Sequence, residues 1–366
     1  MTSPAPTQIP ALGVVSRSLC GLALLAACSQ VDVVTPEVEF HLMGTADTTA
    51  DATRPFQVER AGDGFIVLRT SSGPLPQRLD RQGHSVGSLG TFGSGPQELR
   101  SVSRIFAWQD SLFLVDRELA RLHVFAATGA FARSVPIGAG WQPLSSQALM
   151  FSPDTFVVSG SIPTEMSHGL PFHLLDSTGT VVRSWGATDR SFDGTDPFGL
   201  VQTLAKASDT SFWAARPDSL TFRHWHIDGR LIQELSVARE WFVQGAEFIG
   251  PVDQHRPPAR IAALSVDGCG SLIVVFARPR DDWAPAPRVA NPGVEGRFPP
   301  YGEYAHYIYQ RVEILDPVHG KLQAAATRRD TLIAGFMADG WPFGFWTDGD
   351  GRQLAVWWEM DTHTHC

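Results

Sequence analysis

Residues 93–138 read GSGPQELRSVSRIFAWQDSLFLVDRELARLHVFAATGAFARSVPIG, and this stretch decides the fold. Short apolar runs at 112–115 and 122–125 alternate with turn residues, and a turn at Gly129 leads into another extended segment. Apolar runs of about four to eight residues, bounded by turn residues, are typical of β-strands. The stretch therefore predicts several short strands joined by tight turns.

Weaker copies of this pattern recur along the chain at a regular spacing. The turn glycines Gly129, Gly179 and Gly229 follow each other at intervals of 50 residues. A period of about 40–50 residues that contains four short strands is the signature of a β-propeller blade. We therefore expect an all-β, six-bladed β-propeller over residues 38–361, with five to seven blades as the range that the spacing allows. Strands between residues 38 and 58 should complete the last blade, because an open circle would leave loose strand edges.

Composition and charge narrow the classes of partner. The chain has 366 residues, 43% of them hydrophobic, and a net charge of −9. Proteins that bind nucleic acid through its phosphates usually carry a basic patch, and no stretch of this chain concentrates basic residues. The sequence therefore predicts no nucleic-acid partner, and we expect the propeller to be a monomer. No run of 18 apolar residues predicts a membrane-spanning helix.

The N-terminal residues have the layout of a secretory signal. Residues 18–28 read SLCGLALLAAC and follow Arg17, so that a positive charge precedes a short apolar core and small residues. Residues 25–28, LAAC, resemble the bacterial lipobox, in which a peptidase cuts before the cysteine and the cysteine carries the lipid. We expect a signal peptide over 1–27, lipid on Cys28 and a tether over 28–37. The alternative is a buried apolar strand with a chance cysteine.

This N-terminus predicts a location in the bacterial cell envelope. The lipid on Cys28 would hold the protein to a membrane, on its periplasmic or its surface side. Cys269 and Cys366 are then left to form one disulfide in an oxidising compartment. The alternative is that they stay unpaired, since Cys366 ends a short C-terminal tail over 362–366.

The 93–138 stretch resembles one NHL-type repeat. Gly95–Leu99, read as GPQEL, is similar to the family's Gly-Pro-Gly-Glu-Phe motif, and residues 116–125, read as DRELARLHVF, are similar to its Asp…Asn-Arg-Ile-x-Val-Phe motif. The resemblance covers about 45 residues well and the other repeats faintly. It implies a six-bladed propeller of the kind found among bacterial envelope lipoproteins. Members of the family bind proteins, RNA or small ligands or act as enzymes, so the fold does not decide the function.

Several polar and aromatic residues have a structural interpretation. Asp116 and Arg121 flank a short turn, where we expect them to pair and to tie the turn down. Tryptophans that lie in or beside strands are expected to pack between blades rather than to stack on a ligand; they are Trp108, Trp141, Trp185, Trp213 and Trp225.

A long insertion is the best candidate for contact with a partner. Residues 278–306 interrupt the fifth unit and contain many prolines, and the chain's four tyrosines lie at positions 301–309. Long irregular connections in compact domains are usually functional or disordered. Aromatic and arginine side chains dominate binding hot spots. The partner-contact residues predicted from this insertion are Trp283, Arg297, Tyr301 and Tyr304.

Three groups of residues have weaker metal-binding patterns. The acidic turns at 189–196 and 348–351 offer oxygen ligands for calcium, but Asp and Gly are also ordinary turn residues. His224 and His226 point to the same side of a predicted strand. The tail over 361–366 combines aspartate, histidine and cysteine. For each group the alternative is a turn, a hydrogen-bonded or exposed histidine, or a frayed terminus, and we assign no metal to any of them.

Two functions remain in competition. The first is a non-catalytic, lipid-anchored scaffold that presents one face of the propeller to a protein or an envelope ligand. The alternative is a metal-dependent hydrolase or lactonase, with a divalent ion such as Ca²⁺ in the central channel. The sequence contains no nucleophile elbow, P-loop, HExxH or CxxC motif, so we name no catalytic residue and no cofactor.

Overall fold

The computed structural model describes residues 37–47, 55–62, 64–69, 75–138, 147–162, 169–187, 199–245, 255–284, 308–329, 332–347 and 353–361. All of these lie in one compact unit, Thr35–Cys366. They form six four-stranded antiparallel sheets and one pair of short parallel strands. No helix in this part of the chain is long and apolar enough to span a membrane.

The strands follow the chain in order, and four consecutive strands make most of the sheets. The first described strand is β1 (Glu39–Asp47). One sheet holds β2 (Pro55–Ala61), β3 (Gly64–Arg69), β4 (Gln77–Leu79) and β5 (Ser85–Ser88). The parallel pair is β6 (Thr91–Phe92) and β7 (Glu98–Leu99). The next sheet holds β8 (Val102–Trp108), β9 (Ser111–Asp116), β10 (Arg121–Ala126) and β11 (Phe131–Pro136).

The remaining sheets repeat this arrangement. One contains β12 (Gln147–Ser152), β13 (Thr155–Ser159), β14 (Phe172–Leu175) and β15 (Val181–Trp185). Another contains β16 (Thr203–Ser208), β17 (Ser211–Ala215), β18 (Thr221–His226) and β19 (Leu231–Ser236). A further sheet contains β20 (Arg260–Val266), β21 (Leu272–Pro279), β22 (Ile308–Leu315) and β23 (Leu322–Arg328). The last contains β24 (Leu332–Phe336), β25 (Pro342–Thr347) and β26 (Gln353–Asp361), with β1 added to β26.

The sheets stand around a common centre. The first strand of each sheet contacts the first strand of the next, in the order β2, β8, β12, β16, β20 and β24, and β24 contacts β2 in turn. This is the architecture of a β-propeller, and the prediction of an all-β propeller is confirmed. This arrangement also explains the apolar runs in the sequence, because a strand that is covered by neighbouring sheets on both faces buries nearly every residue. All five residues of β17 are buried, for example.

The N-terminal and C-terminal strands share one sheet. β1 pairs with β26 in antiparallel register, with Leu42 opposite Trp358 and Ala46 opposite Ala355. The prediction that an N-terminal strand completes the last sheet is confirmed for β1. It is wrong for Val58, which lies in β2 and begins a different sheet, because β2 pairs with β3.

Aromatic side chains fill the space between neighbouring sheets. Trp185 and Trp225 are buried with Phe172 and Phe212 between the third and fourth four-stranded sheets, with ring centroids 5.4–6.2 Å apart. Trp213 is buried between the fourth sheet and the fifth. The packing role predicted for these three tryptophans is confirmed. Trp108 packs against the cluster between the second and third sheets, and Trp141 lies outside the described residues.

The two edges of the sheets differ in their connections. At one edge, which we call the turn edge, third strands turn into fourth strands. Gly129, Gly179 and Gly229 have φ angles of 90°, 76° and 90° there, in the left-handed region that glycine adopts without strain. At the other edge, which we call the loop edge, second strands lead to third strands and each sheet leads to the next. The connection over 280–307, between β21 and β22, leaves from the loop edge, as does the one over 237–259, between β19 and β20.

Candidate functional site

Asp116 binds the backbone immediately after the GPQEL motif. The carboxylate of Asp116 is fully buried and accepts hydrogen bonds from the backbone N–H groups of Arg100 (2.6 Å), Leu119 (3.0 Å) and Ser101 (3.3 Å). It is therefore a backbone cap rather than half of an ion pair. The prediction that Asp116 pairs with Arg121 is wrong, because Asp116 binds these N–H groups while Arg121 donates to the backbone carbonyls of Ser94 and Gly95.

Arg121 supports the same segment from the other side. Its Nη1 donates to the carbonyl oxygens of Ser94 (3.1 Å) and Gly95 (3.0 Å). The Glu98 carboxylate accepts from the backbone N–H of Gly95 at 2.5 Å, which closes the GPQEL loop on itself. The Arg121 contacts join residues 26 and 27 positions apart in the chain, and together these bonds explain the motif as a structural feature.

The two strand histidines have hydrogen-bond partners within the sheet. His224 stacks on Trp213, with ring centroids 4.7 Å apart, and its Nε2 lies 3.0 Å from the Ser211 hydroxyl. Burial lowers the pKa of His224. His226 Nδ1 lies 3.0 Å from the carboxylate of Asp228. The structure therefore places both imidazoles in local contacts of the sheet, and no third metal ligand joins them from the residues that it describes.

The other candidate ligands fall largely outside the described residues. The acidic turns at 189–196 and 348–351, and the tail after Asp361, lie there. Across the residues that the structure does describe, no group of three or more His, Cys, Asp or Glu side chains could hold a metal ion.

The insertion begins and ends at the loop edge of the fifth sheet. Arg278 lies opposite Tyr309 and Pro279 opposite Ile308, at the last paired positions of β21 and β22. Trp283 is half-buried, and its backbone N–H donates to the carbonyl of Arg280 at 3.1 Å. Of the predicted contact residues, Trp283 is therefore placed close to the sheet, whereas Arg297, Tyr301 and Tyr304 lie outside the described residues.

An arginine held between two aromatic rings marks the base of the insertion. The guanidinium of Arg278 lies 4.3 Å from the ring centroid of Trp241 and 5.1 Å from that of Tyr309. Trp241 comes from the connection after β19, and its ring meets Phe276 edge-on at 5.1 Å and 82°. Stacking on aromatic faces holds a guanidinium in one orientation while leaving its N–H edge available.

A buried charge cluster lies on the same face of the sheet as Arg278. Glu313 is fully buried, and its carboxylate accepts from Arg239 Nε at 2.8 Å and from Arg311 Nε at 2.6 Å. Arg311 lies opposite Phe276, so it is the diagonal neighbour of Arg278 on the same face of the sheet. Such diagonal positions are about 7–8 Å apart. Arg278 therefore lies beside a group of two arginines that share the single carboxylate of Glu313.

The acidic residues near this cluster either pair with another arginine or are exposed to solvent. Asp282 receives two hydrogen bonds from Arg280, from Nε at 2.9 Å and from Nη2 at 3.2 Å. These bonds hold the pKa of Asp282 below its ordinary value. Asp281 is exposed. We call Trp241, Arg278, Tyr309, Arg239, Arg311 and Glu313 the arginine–aromatic cluster, and we take it as the candidate functional site.

A second polar group lies on the innermost strand near the turn edge. Glu59 in β2 is 6% exposed, and it accepts hydrogen bonds from Gln57 Nε2 (2.9 Å) and from the backbone N–H of Ala338 (3.2 Å). Burial, together with the nearby charge of Asp339, raises the pKa of Glu59 to about 7. Gln57 also donates to the Ile105 carbonyl of the next inner strand. This group joins neighbouring sheets, so we interpret it as structural.

The sequence predicts the insertion but not the residues that support it. In the sequence Arg278 is only the first residue of the insertion, and nothing distinguishes Trp241 or Glu313. Trp241 lies 37 residues before Arg278 in the chain. The tyrosines at positions 301–309 are the one feature of the sequence that points to this cluster, because aromatic residues close to an arginine can form a cation–π contact.

Comparison with known proteins identifies the fold. No protein-family profile matches the chain, and no curated protein matches it. Among solved structures, a member of the DUF4221 family from Bacteroides vulgatus is similar with a TM-score of 0.58 at 9% identity, over 89% of this chain and 99% of that one. A candidate exported protein from Bacteroides fragilis is similar with a TM-score of 0.52 at 10% identity, over 88% and 95%. At such identities the likeness concerns the fold alone.

Proposed function

We propose that this chain is a non-catalytic binding scaffold of the bacterial cell envelope. In this proposal a six-bladed propeller of the NHL-like type is held to a membrane by lipid on Cys28 and presents its loop edge to a protein or an envelope ligand. The observation that carries the proposal is the arginine–aromatic cluster at the base of the 278–306 insertion. Half-buried aromatic and arginine side chains on a rigid support are typical of binding hot spots.

The number of blades is supported by the strand pattern. Six four-stranded sheets are described, and their first strands contact each other in a closed series. β1 adds to β26, which joins the two ends of the described chain in one sheet. A ring closed in this way is rigid, and a rigid ring can hold long loops at fixed distances from each other.

Two observations support a location outside the cytoplasm. Cys269 is disulfide-bonded, and disulfides persist mainly in oxidising compartments. The other three cysteines, Cys20, Cys28 and Cys366, lie outside the described residues, and of the two alternatives left open by the sequence we propose the pairing of Cys269 with Cys366. The similarity to a candidate exported protein agrees with the signal-like stretch at 18–28.

Partner contact is proposed for the insertion together with its base. The predicted contact residues are Trp283, Arg297, Tyr301 and Tyr304, and Trp283 follows the rigid end of β21 closely. Proline-rich segments lose little conformational entropy when they become ordered, so their aromatic side chains bind at a low entropic cost.

Deletion of the insertion tests this proposal. A variant without residues 282–302 should keep the unfolding transition of the intact chain, because shortening a surface connection changes stability little. It should lose the partner that the intact chain captures from envelope extracts and binds again after purification. The matched control carries Val318→Ser and Leu231→Ser, two exposed apolar positions away from the loop edge. Equal capture by the deletion variant and the intact chain would show that the insertion is not the contact surface.

Metal analysis separates the scaffold from the alternative function. The metal-dependent hydrolase or lactonase requires a stoichiometric divalent ion, such as Ca²⁺, in the purified chain. An ion that stays bound through dialysis and is needed for turnover of an ester or a lactone would overturn the scaffold proposal. A chain that binds its partner with no metal present supports it.

A further inference from the structure

We propose that Arg278 is the anchor of a binding site for an oxyanion, the carboxylate or phosphate group of a ligand. This inference rests on the proposed function, since it gives the chemical class that the loop edge would recognise. The site is defined by Arg278, by the rings of Trp241 and Tyr309, and by the positive charge of Arg239 and Arg311 beside them.

The first observation concerns the hydrogen bonding of Arg278. Its guanidinium is half-buried and lies 4.3 Å from the centroid of Trp241 and 5.1 Å from that of Tyr309. Within the part of the chain that the structure describes, it has ring contacts but no hydrogen bond and no ion pair. A guanidinium carries five N–H donors, and stacking uses its face rather than these donors. The donors of Arg278 are therefore available to a ligand.

A comparison with Arg60, another arginine that lies over an aromatic ring, shows what distinguishes Arg278. Arg60 lies 4.9 Å from the ring centroid of Trp341, near the turn edge. Its Nη1 also contacts the carboxylate of Asp339 at 3.2 Å. Arg60 therefore has both an aromatic face and an acidic partner, whereas among the described residues Arg278 has only aromatic neighbours. The acidic partner of Arg278 is the element that a ligand would supply.

The second observation is the balance of charge around the site. Glu313 is the buried carboxylate of the cluster, and it is shared between Arg239 and Arg311. Asp282 is held by Arg280. Among the buried and half-buried groups of the site, three guanidinium groups stand against the one carboxylate of Glu313, whereas Glu240 and Asp281 are exposed to solvent. A ligand anion would therefore experience attraction from Arg278 and Arg311 together. Low solvent exposure makes this attraction stronger than it is at an open surface.

These features define the chemical class of the ligand. A planar guanidinium binds carboxylates and phosphates through two parallel N–H···O bonds, and this geometry discriminates against spherical anions such as chloride. The rings of Trp241 and Tyr309 provide apolar surface beside the anion. The site therefore fits a ligand that carries an oxyanion next to an apolar or cyclic group.

Calorimetric titration of the full chain in detergent tests the site. The probes are inorganic phosphate and acetate, titrated separately at a constant ionic strength that chloride maintains. We expect saturable binding of at least one of them with one site per chain, and the tighter probe shows whether the site is built for phosphate or for carboxylate. Arg278→Gln should abolish this binding. Arg278→Lys keeps the positive charge but loses the planar guanidinium with its two parallel N–H donors, so it should weaken binding about tenfold.

The matched control is Arg60→Gln, which removes a stacked arginine that already has an acidic partner. This variant should bind the probe as the wild type does. The proposal is overturned if the wild type binds neither phosphate nor acetate, or if a folded Arg278→Gln variant binds as the wild type does. Should Arg278→Gln fail to fold, unweakened binding by Arg278→Lys overturns it in the same way. Partner capture by the wild type without anion binding rejects this inference alone, whereas anion binding without insertion-dependent capture rejects the scaffold proposal alone.

Discussion

Arg239 and Glu313 lie 74 residues apart in the chain, yet Arg239 Nε donates to the Glu313 carboxylate at 2.8 Å. Arg239 belongs to the connection that follows β19, and Glu313 to β22 in the next sheet. The pair therefore joins two neighbouring sheets through a carboxylate with no solvent exposure. Arg311 completes the group with its own ion pair to Glu313.

Glu313→Ala should be among the most destabilising single substitutions in the chain. It would leave two largely buried guanidinium groups without their shared carboxylate, and breaking a buried ion pair costs about 3–5 kcal/mol in the free energy of unfolding. Urea unfolding followed by tryptophan fluorescence measures this change. The control is Glu234→Ala, which breaks the more exposed pair with Arg223 and should cost less than about 1 kcal/mol. Equal losses in the two variants would contradict the role of Glu313.

Glu59 should make the stability of the chain depend on pH near neutrality. Its pKa is about 7 in the folded chain, against an ordinary value of 4.5. The folded state therefore binds the proton more tightly than the unfolded state does. The resulting stabilisation is fully present below pH 4.5 and is lost as the pH rises through 7, by about 3 kcal/mol in total.

The variant Glu59→Gln removes this titration while keeping the shape of the side chain. Its free energy of unfolding should match that of the wild type near pH 4.5 and exceed it near pH 8. Denaturant unfolding at several pH values between these limits measures the difference. If the free energies of unfolding of the two proteins differ by the same amount at every pH, ionisation of Glu59 does not destabilise the folded chain and the prediction is wrong.

Gly83→Ala should weaken the contact between the first sheet and the last. A Cβ atom at Gly83 would overlap the carbonyl oxygen of Thr45 in β1. Gly270 has a similar φ angle, 85° against 91°, but open space around it. Gly270→Ala should therefore cost only the backbone term of about 1 kcal/mol, and Gly83→Ala a further 1–3 kcal/mol, roughly, from the overlap. Thermal unfolding compares the two variants. Equal midpoints would show that β1 shifts to make room for the Cβ atom at position 83 without loss of stability.

Cys28→Ala should move the protein from the membrane fraction to the soluble fraction. The proposed anchor needs the sulfur of Cys28 to carry a lipid, and acyl chains bind membranes through buried CH₂ groups. Fractionation followed by immunoblotting measures the change, and mass spectrometry of the mature N-terminus identifies the modification. Cys269→Ser is the control and should stay in the membrane fraction. A soluble wild type that retains residues 1–27 would refute the anchor.

The sequence alone determined the strands and turns of this protein, because those depend on neighbouring residues. Glycines spaced 50 residues apart mark tight turns, and apolar runs between them mark strands with sheets on both faces. The pairing of β1 with β26 was also predictable, since a ring of sheets needs to cover its free edges. The 278–306 insertion was visible for the same local reason.

Only the tertiary structure decided which side chains meet. Asp116 and Arg121 were expected to pair because they flank one turn, but each binds backbone groups of the 94–101 segment instead. Arg278 acquires its two aromatic neighbours from different elements, Trp241 from the connection before β20 and Tyr309 from strand β22. A hydrogen-bonding group or an aromatic ring can be contacted by a side chain close in sequence or by one several strands away. The packing of the sheets decides which of the two lies closer. The turns of this propeller are therefore local properties of its sequence, whereas its candidate site is a property of the assembled sheets.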